Sequence, residues 1–72
     1  IVSYGQITPK DEPYIQGHDE WVVVLKGKAT LLIGDSEHNL NDGDTLLIPR
    51  GVTHSVTYTS NPTIWLAIHI GG

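Results

Sequence analysis

Cysteine is absent from the 72 residues, which excludes both a disulfide framework and a thiolate metal site. Nothing in the chain therefore demands an oxidising compartment, and a cytoplasmic location is expected. No apolar run approaches the roughly 18 residues that a membrane-spanning helix needs. Basic residues are scarce: Lys10, Lys26, Lys28 and Arg50 stand against eight acids, for a formal net charge of −4. They are scattered, whereas a nucleic-acid binder normally carries a basic stripe. Anionic membrane surfaces are disfavoured for the same reason. Neither nucleic acid nor membrane is expected as a partner. Helical periodicity is also missing, since no segment repeats apolar residues at i, i+3, i+4 and i+7 over two turns. The length allows at most one domain, 1–72, which is small for a β-structure without staples. Ile1-Val2-Ser3-Tyr4 has no basic region and no cleavage site, so it does not read as a signal peptide. It also lacks an initiator Met and starts abruptly in an apolar run. An N-terminal strand missing ahead of Ile1 is therefore part of the expectation.

What remains is a set of short β-branched runs cut by turn residues, which reads as all-β. The expected strands are Ile1–Ile7, Glu20–Lys26, Lys28–Ile33, Glu37–Leu40, Thr45–Pro49, His54–Thr59 and Thr63–Ile70, with a short extended piece over Tyr14–Gln16. Thr8-Pro9-Lys10-Asp11-Glu12-Pro13 is a loop, because two prolines and three charges exclude a central strand. Gly17-His18-Asp19, Gly34-Asp35-Ser36 and Asn41-Asp42-Gly43-Asp44 are turns, and Asp-Gly is a strong hairpin signal. Turn chemistry accounts fully for Asp42 and Asp44. Strands this short and this closely spaced predict a sandwich or small barrel.

Trp21-Val22-Val23-Val24-Leu25 is apolar on both parities, so it is buried on both faces. One face fits a barrel interior. Trp21, Val23 and Leu25 on the other, with Trp65 or Leu66, are expected to line a homodimer interface.

The most informative stretch runs from Gly43 to His54. An apolar strand stops at Pro49, which has no N–H for a ladder. The chain turns on Gly51, and His54 starts the next strand with its side chain aimed to one face. Neutral imidazole is the commonest metal ligand. Glu20 shares parity with Val22 and Val24, so it points inward, where a carboxylate needs a partner.

The spacing Gly43-x5-Pro49-x-Gly51-x2-His54 resembles the second motif of the cupin superfamily in full. Glu20-x6-Gly27 matches the second half of the first motif, G-x5-H-x-H-x3,4-E-x6-G. The segments Trp21–Gly27 and Ile64–Ile70 look like a subgroup of small, single-domain bacterial cupins. The resemblance implies a small antiparallel jelly-roll barrel holding a divalent metal in its mouth. Carried over by position, Glu20 and His54 are ligands, while the two histidine positions of the first motif fall on Tyr14 and Gln16. Gln16 offers a carbonyl oxygen. Tyr14 is a poor ligand unless its phenol loses its proton.

The expected metal set is therefore Gln16, Glu20 and His54, for Mn²⁺, Ni²⁺, Fe²⁺ or Zn²⁺ or for no metal at all. Tyr14, Tyr58, His69 and Arg50 are the candidate substrate-binding residues. Tyr58 shares parity with His54, His69 lies two residues beyond Ala67 on the last strand, and Arg50 stands on the rim turn, where it would clamp a carboxylate. His18 is expected at the rim and His38 in solvent. Three functions stay open: a metal-dependent dioxygenase, isomerase or lyase; a metal-free module binding a small or sugar-like molecule; and a structural dimerisation domain.

Overall fold

The computed structural model describes residues 1–9 and 12–71. Among these residues seven strands form: β1 (Val2–Ser3), β2 (Asp19–Lys26), β3 (Ala29–Ile33), β4 (Ser36–Leu40), β5 (Thr45–Ile48), β6 (His54–Thr59) and β7 (Thr63–Ile70). They pair antiparallel in two sheets, β1-β7-β2-β5 and β4-β3-β6. This is the expected all-β jelly-roll arrangement. Among the described residues no helix is long and apolar enough to cross a membrane. The expected 8–13 loop contains Lys10 and Asp11, which lie outside the described residues.

Alternation builds the interior. Val22 and Val24 from β2, Ile48 from β5 and Trp65 from β7 meet Ala29 and Leu31 from β3 and Leu40 from β4 in one buried cluster. Each of its valine, leucine and isoleucine side chains contributes roughly 1.5–3 kcal/mol of hydrophobic stabilisation. Of the two alternatives for the outer face, Trp65 and Leu66, Trp65 therefore faces inward and Leu66 outward. It alternates with Leu66, and its indole N–H donates to Ser3 Oγ at 3.1 Å.

The first strand is shorter than Ile1–Ile7. Gly5 adopts φ +85°, and the chain leaves β7 after Ser3. It then crosses to the other sheet, where Thr8 N–H donates to the Val56 carbonyl at 2.8 Å and Thr59 Oγ1 donates to the Gln6 carbonyl at 2.7 Å.

A bulge in β6 also shifts the pattern. Thr30 pairs with Tyr58 and Leu31 with Val56, which leaves Thr57 as the extra residue. Parity reverses across it. His54 is buried, whereas Tyr58 is half exposed and faces out.

The far end of the fold depends on Gly27. Its φ is +108°, and an added Cβ would sit 2.6 Å from Ser60 Oγ, 3.0 Å from the Pro62 carbonyl oxygen and 3.1 Å from Thr63 Cα. Two of those neighbours are backbone and cannot rotate away. Gly27→Ala should lower unfolding free energy by about 2–3 kcal/mol. Gly17→Ala, with nothing within 4 Å of its Cβ position, should change it by less than about 0.5 kcal/mol. Urea denaturation of both variants checks the contrast, and equal effects would contradict it.

Candidate functional site

Backbone hydrogen bonds bring the two halves of the sequence pattern together. Tyr14 and His54 exchange N–H to carbonyl bonds at 2.8 Å each, forming an isolated antiparallel bridge. Gly51 N–H donates to the Gln16 carbonyl at 2.8 Å. Arg50 N–H donates to Asp19 Oδ1, also at 2.8 Å. The turn after Pro49 needs Gly51 at φ +73° to present these donors. The 14–19 segment is thus fastened along the 50–54 turn, and β2 starts from it.

Between the sheets lies a cavity of about 330 Å³. Its walls are largely apolar: Ile7, Val22, Leu31, Ile48, Val56, Trp65 and Ala67. Tyr14, Gln16, Glu20, His54 and His69 also line it, so five of the seven sequence candidates share one space. Arg50 and Tyr58 do not line it. Arg50 sits on the turn: its backbone N–H holds Asp19, and its guanidinium lies beside Gly71, 3.2 Å from that residue's Cβ position. Tyr58 is turned away by the β6 bulge.

His54 is 5% exposed. Its Nδ1 lies 3.4 Å from the Val52 carbonyl oxygen, a long contact that favours the proton on Nδ1 and leaves the Nε2 lone pair free. The Tyr14 ring packs against it, with centroids 5.8 Å apart. Glu20 and His69 are opposite each other on β2 and β7. Glu20 Oε1 lies 3.9 Å from His69 Nδ1, beyond hydrogen-bond reach. With the His69 side chain 55% exposed, that pairing contributes little. His18 occupies the rim as expected, but it also engages His69, Nε2 to Nδ1 at 2.6 Å.

Gln16 Oε1 is buried and has no hydrogen-bond partner among the described residues. An unsatisfied buried acceptor costs about 1–3 kcal/mol. No group of three or more His, Asp or Glu side chains able to hold a metal occurs among the described residues. A cation here would rest on the imidazole of His54, the carboxylate of Glu20 and the amide oxygen of Gln16.

The sequence reading missed several cavity residues. Trp65 was readable, because Trp65, Ala67 and His69 alternate on one face of β7. Gln6 and Thr8 were not, because they reach the cavity by a crossing between sheets that strand periodicity does not encode.

Gln16→Met replaces the orphaned amide with an apolar side chain of similar length. It should raise unfolding free energy by about 1 kcal/mol. Chemical denaturation measures this, and a loss of stability would mean that the amide is already satisfied.

Comparison with known proteins places this geometry in a family. The family model described as "Cupin domain" matches residues 4–69. A crystal structure from Ralstonia eutropha JMP134, provisionally named a mannose-6-phosphate isomerase, superposes with a TM-score of 0.91 at 33% identity, over 99% of this chain and 69% of that one. A conserved Streptococcus pyogenes protein of unknown function shares the fold, with a TM-score of 0.78 at 20% identity over 99% of this chain and 62% of that one. An uncharacterized protein of Aquifex aeolicus (strain VF5) is 38% identical over 55 residues, or 76% of this chain, which spans about half of that relative (46%). The chain belongs to the cupin superfamily.

Proposed function

We propose that this cupin binds a small molecule in the cavity between its sheets, with the polar end of the molecule on Gln16, Glu20 and His54. The observation that carries the reading is the orphaned Gln16 oxygen, buried in an otherwise largely apolar space. Natural proteins keep such a cost where function requires it. A pocket with apolar walls and a few convergent polar groups is the usual form of a small-molecule site. The name of the Ralstonia neighbour suggests sugar-phosphate isomerisation. The cavity gives that substrate weak support, since neither Lys nor Arg appears among its described lining residues.

A screen of small metabolites by NMR tests the proposal through the indole N–H of Trp65, which lines the cavity. Saturable shifts of that resonance are expected for at least one compound class. No shift across the panel at millimolar concentration would remove the reading.

A second reading adds a divalent ion, Mn²⁺, Ni²⁺, Fe²⁺ or Zn²⁺, held by the same three side chains. The position of Glu20 and His54 on one cavity supports it. One nitrogen, one carboxylate and one amide oxygen fit a loosely held ion with open coordination positions. Such an ion would polarise a carbonyl or orient a ligand, as in dioxygenase, isomerase or lyase chemistry. The residues of the chain would bind it, and the apolar walls would exclude water. Elemental analysis after soaking in each ion should find metal in the native protein and none in His54→Ala. Metal absent from both would remove the ion and leave the metal-free binding module.

The outer face of the four-stranded sheet supports self-association. Leu25, Leu47, Leu66, Ile68 and Ile70 are each about half exposed there, around the half-buried Trp21 and Val23. At strand spacing, two strands of eight residues and one of four cover roughly 300 Å², an apolar patch of a size that is often functional. A second copy, related by a two-fold axis, is the proposed cover. Light scattering should give a dimer at micromolar concentration, and Leu66→Asp with Ile68→Asp should give a folded monomer. A monomeric native protein would overturn the proposal.

A further inference from the structure

Gln16 and Glu20 present acceptor oxygens to the cavity. Gln16 Oε1 is buried without a partner among the described residues. The Glu20 side chain is 13% exposed, and His69 Nδ1 stands 3.9 Å from its carboxylate. A carbonyl oxygen and an ionised carboxylate accept hydrogen bonds and donate none. His69 Nδ1 is already engaged by His18 at 2.6 Å.

Lysine and arginine are elsewhere, and the Ile1 ammonium, which also lines the cavity, donates to the Trp65 carbonyl at 2.8 Å. The described lining includes no Lys and no Arg. Arg50 has its guanidinium against Gly71. Lys26 lies six positions along β2 from Glu20, roughly 20 Å away at the rise of a strand. Lys28 is at that same far end, where its N–H donates to Ser60 Oγ.

A phosphate or carboxylate head placed at Gln16 and Glu20 would meet like charge and a carbonyl oxygen, with no lysine or arginine to offset them. An N–H or O–H head would meet two acceptors ready for it. The remaining volume suits an apolar body: about 330 Å³ is on the order of ten water volumes at ~30 Å³ each.

We infer that the cavity selects a small amphipathic molecule whose head donates hydrogen bonds and carries no negative charge, an amine or alcohol on an apolar body. This rests on the reading that the cavity binds a small molecule.

Four probes with one shared body separate the heads: benzylamine, benzyl alcohol, benzoate and benzyl phosphate. Each is titrated into the 72-residue chain in buffer containing EDTA and followed by the indole N–H of Trp65, with that of Trp21 as the outer-face control. Benzylamine and benzyl alcohol should bind at least about tenfold more tightly than either anion. Glu20→Gln should narrow the amine's advantage over the alcohol, and Gln16→Met should weaken both. Benzoate or benzyl phosphate binding as tightly as benzylamine would overturn this inference while leaving the cavity a ligand site. No probe moving the Trp65 resonance at about 10 mM would overturn the small-molecule reading itself, and the inference with it.

Discussion

The site depends on a seam of backbone hydrogen bonds between residues 14–19 and the 50–54 turn. Tyr14 and His54 bond reciprocally, Gly51 holds Gln16, and Arg50 holds the Asp19 carboxylate. Each bond is a modest term, about 0.5–1.5 kcal/mol net. Together they determine where three side chains point. Gln16 and His54 come from the two sides of the seam, and Glu20 follows directly on the start of β2. A segment without regular secondary structure of its own is positioned as firmly as a strand, because its backbone polar groups are satisfied by a turn of fixed geometry. Pro49 and Gly51 are the residues that allow that turn.

The chemistry of the cavity follows from what the chain leaves out. With no cysteine and two histidines along its lining, it has few strong metal donors. Neither lysine nor arginine is among its described lining residues, and the Ile1 ammonium there is bonded to the Trp65 carbonyl. What it does offer is oxygen acceptors within an apolar wall. Polar groups in that setting interact more strongly than in water, and unpaired ones cost more. Discrimination between ligands then comes from whether the incoming head completes the acceptors or opposes them.

Much of the fold was legible because its signals are local. β6 and β7 fall on the expected boundaries, set by His54 after the Gly51 turn and by Pro62 ahead of Thr63. Glu20 was placed by parity with Val22 and Val24, and it lines the cavity beside Val22 on the same face of β2. The failures have equally specific causes. Tyr58 was assigned by counting in twos, and one bulged residue reverses the count. The outer face was left to Trp65 or Leu66, and since adjacent strand residues face opposite ways, Leu66 takes it while Trp65 joins the core. The Ile1–Ile7 strand was overextended because Gly5 turns the chain toward the second sheet. Gln6 and Thr8 enter the cavity through that crossing, which only the tertiary arrangement of both sheets determines.

The cluster around Gly27 has a meaning for the opposite end of the molecule. Ser60 Oγ accepts from Lys28 N–H, and the buried Thr63 hydroxyl lies within hydrogen-bond distance of the carbonyl oxygens of Ser60 and Lys28 and of Ser60 Oγ. These contacts fix the residue at which β7 begins. Thr63, Trp65, Ala67 and His69 then alternate with Ile64, Leu66, Ile68 and Ile70. A slip of one residue would put four branched aliphatic side chains into the cavity and expel His69. The address of His69 is thus written about 20 Å away, at the strand rise of ~3.3 Å per residue, by a turn that never touches a ligand.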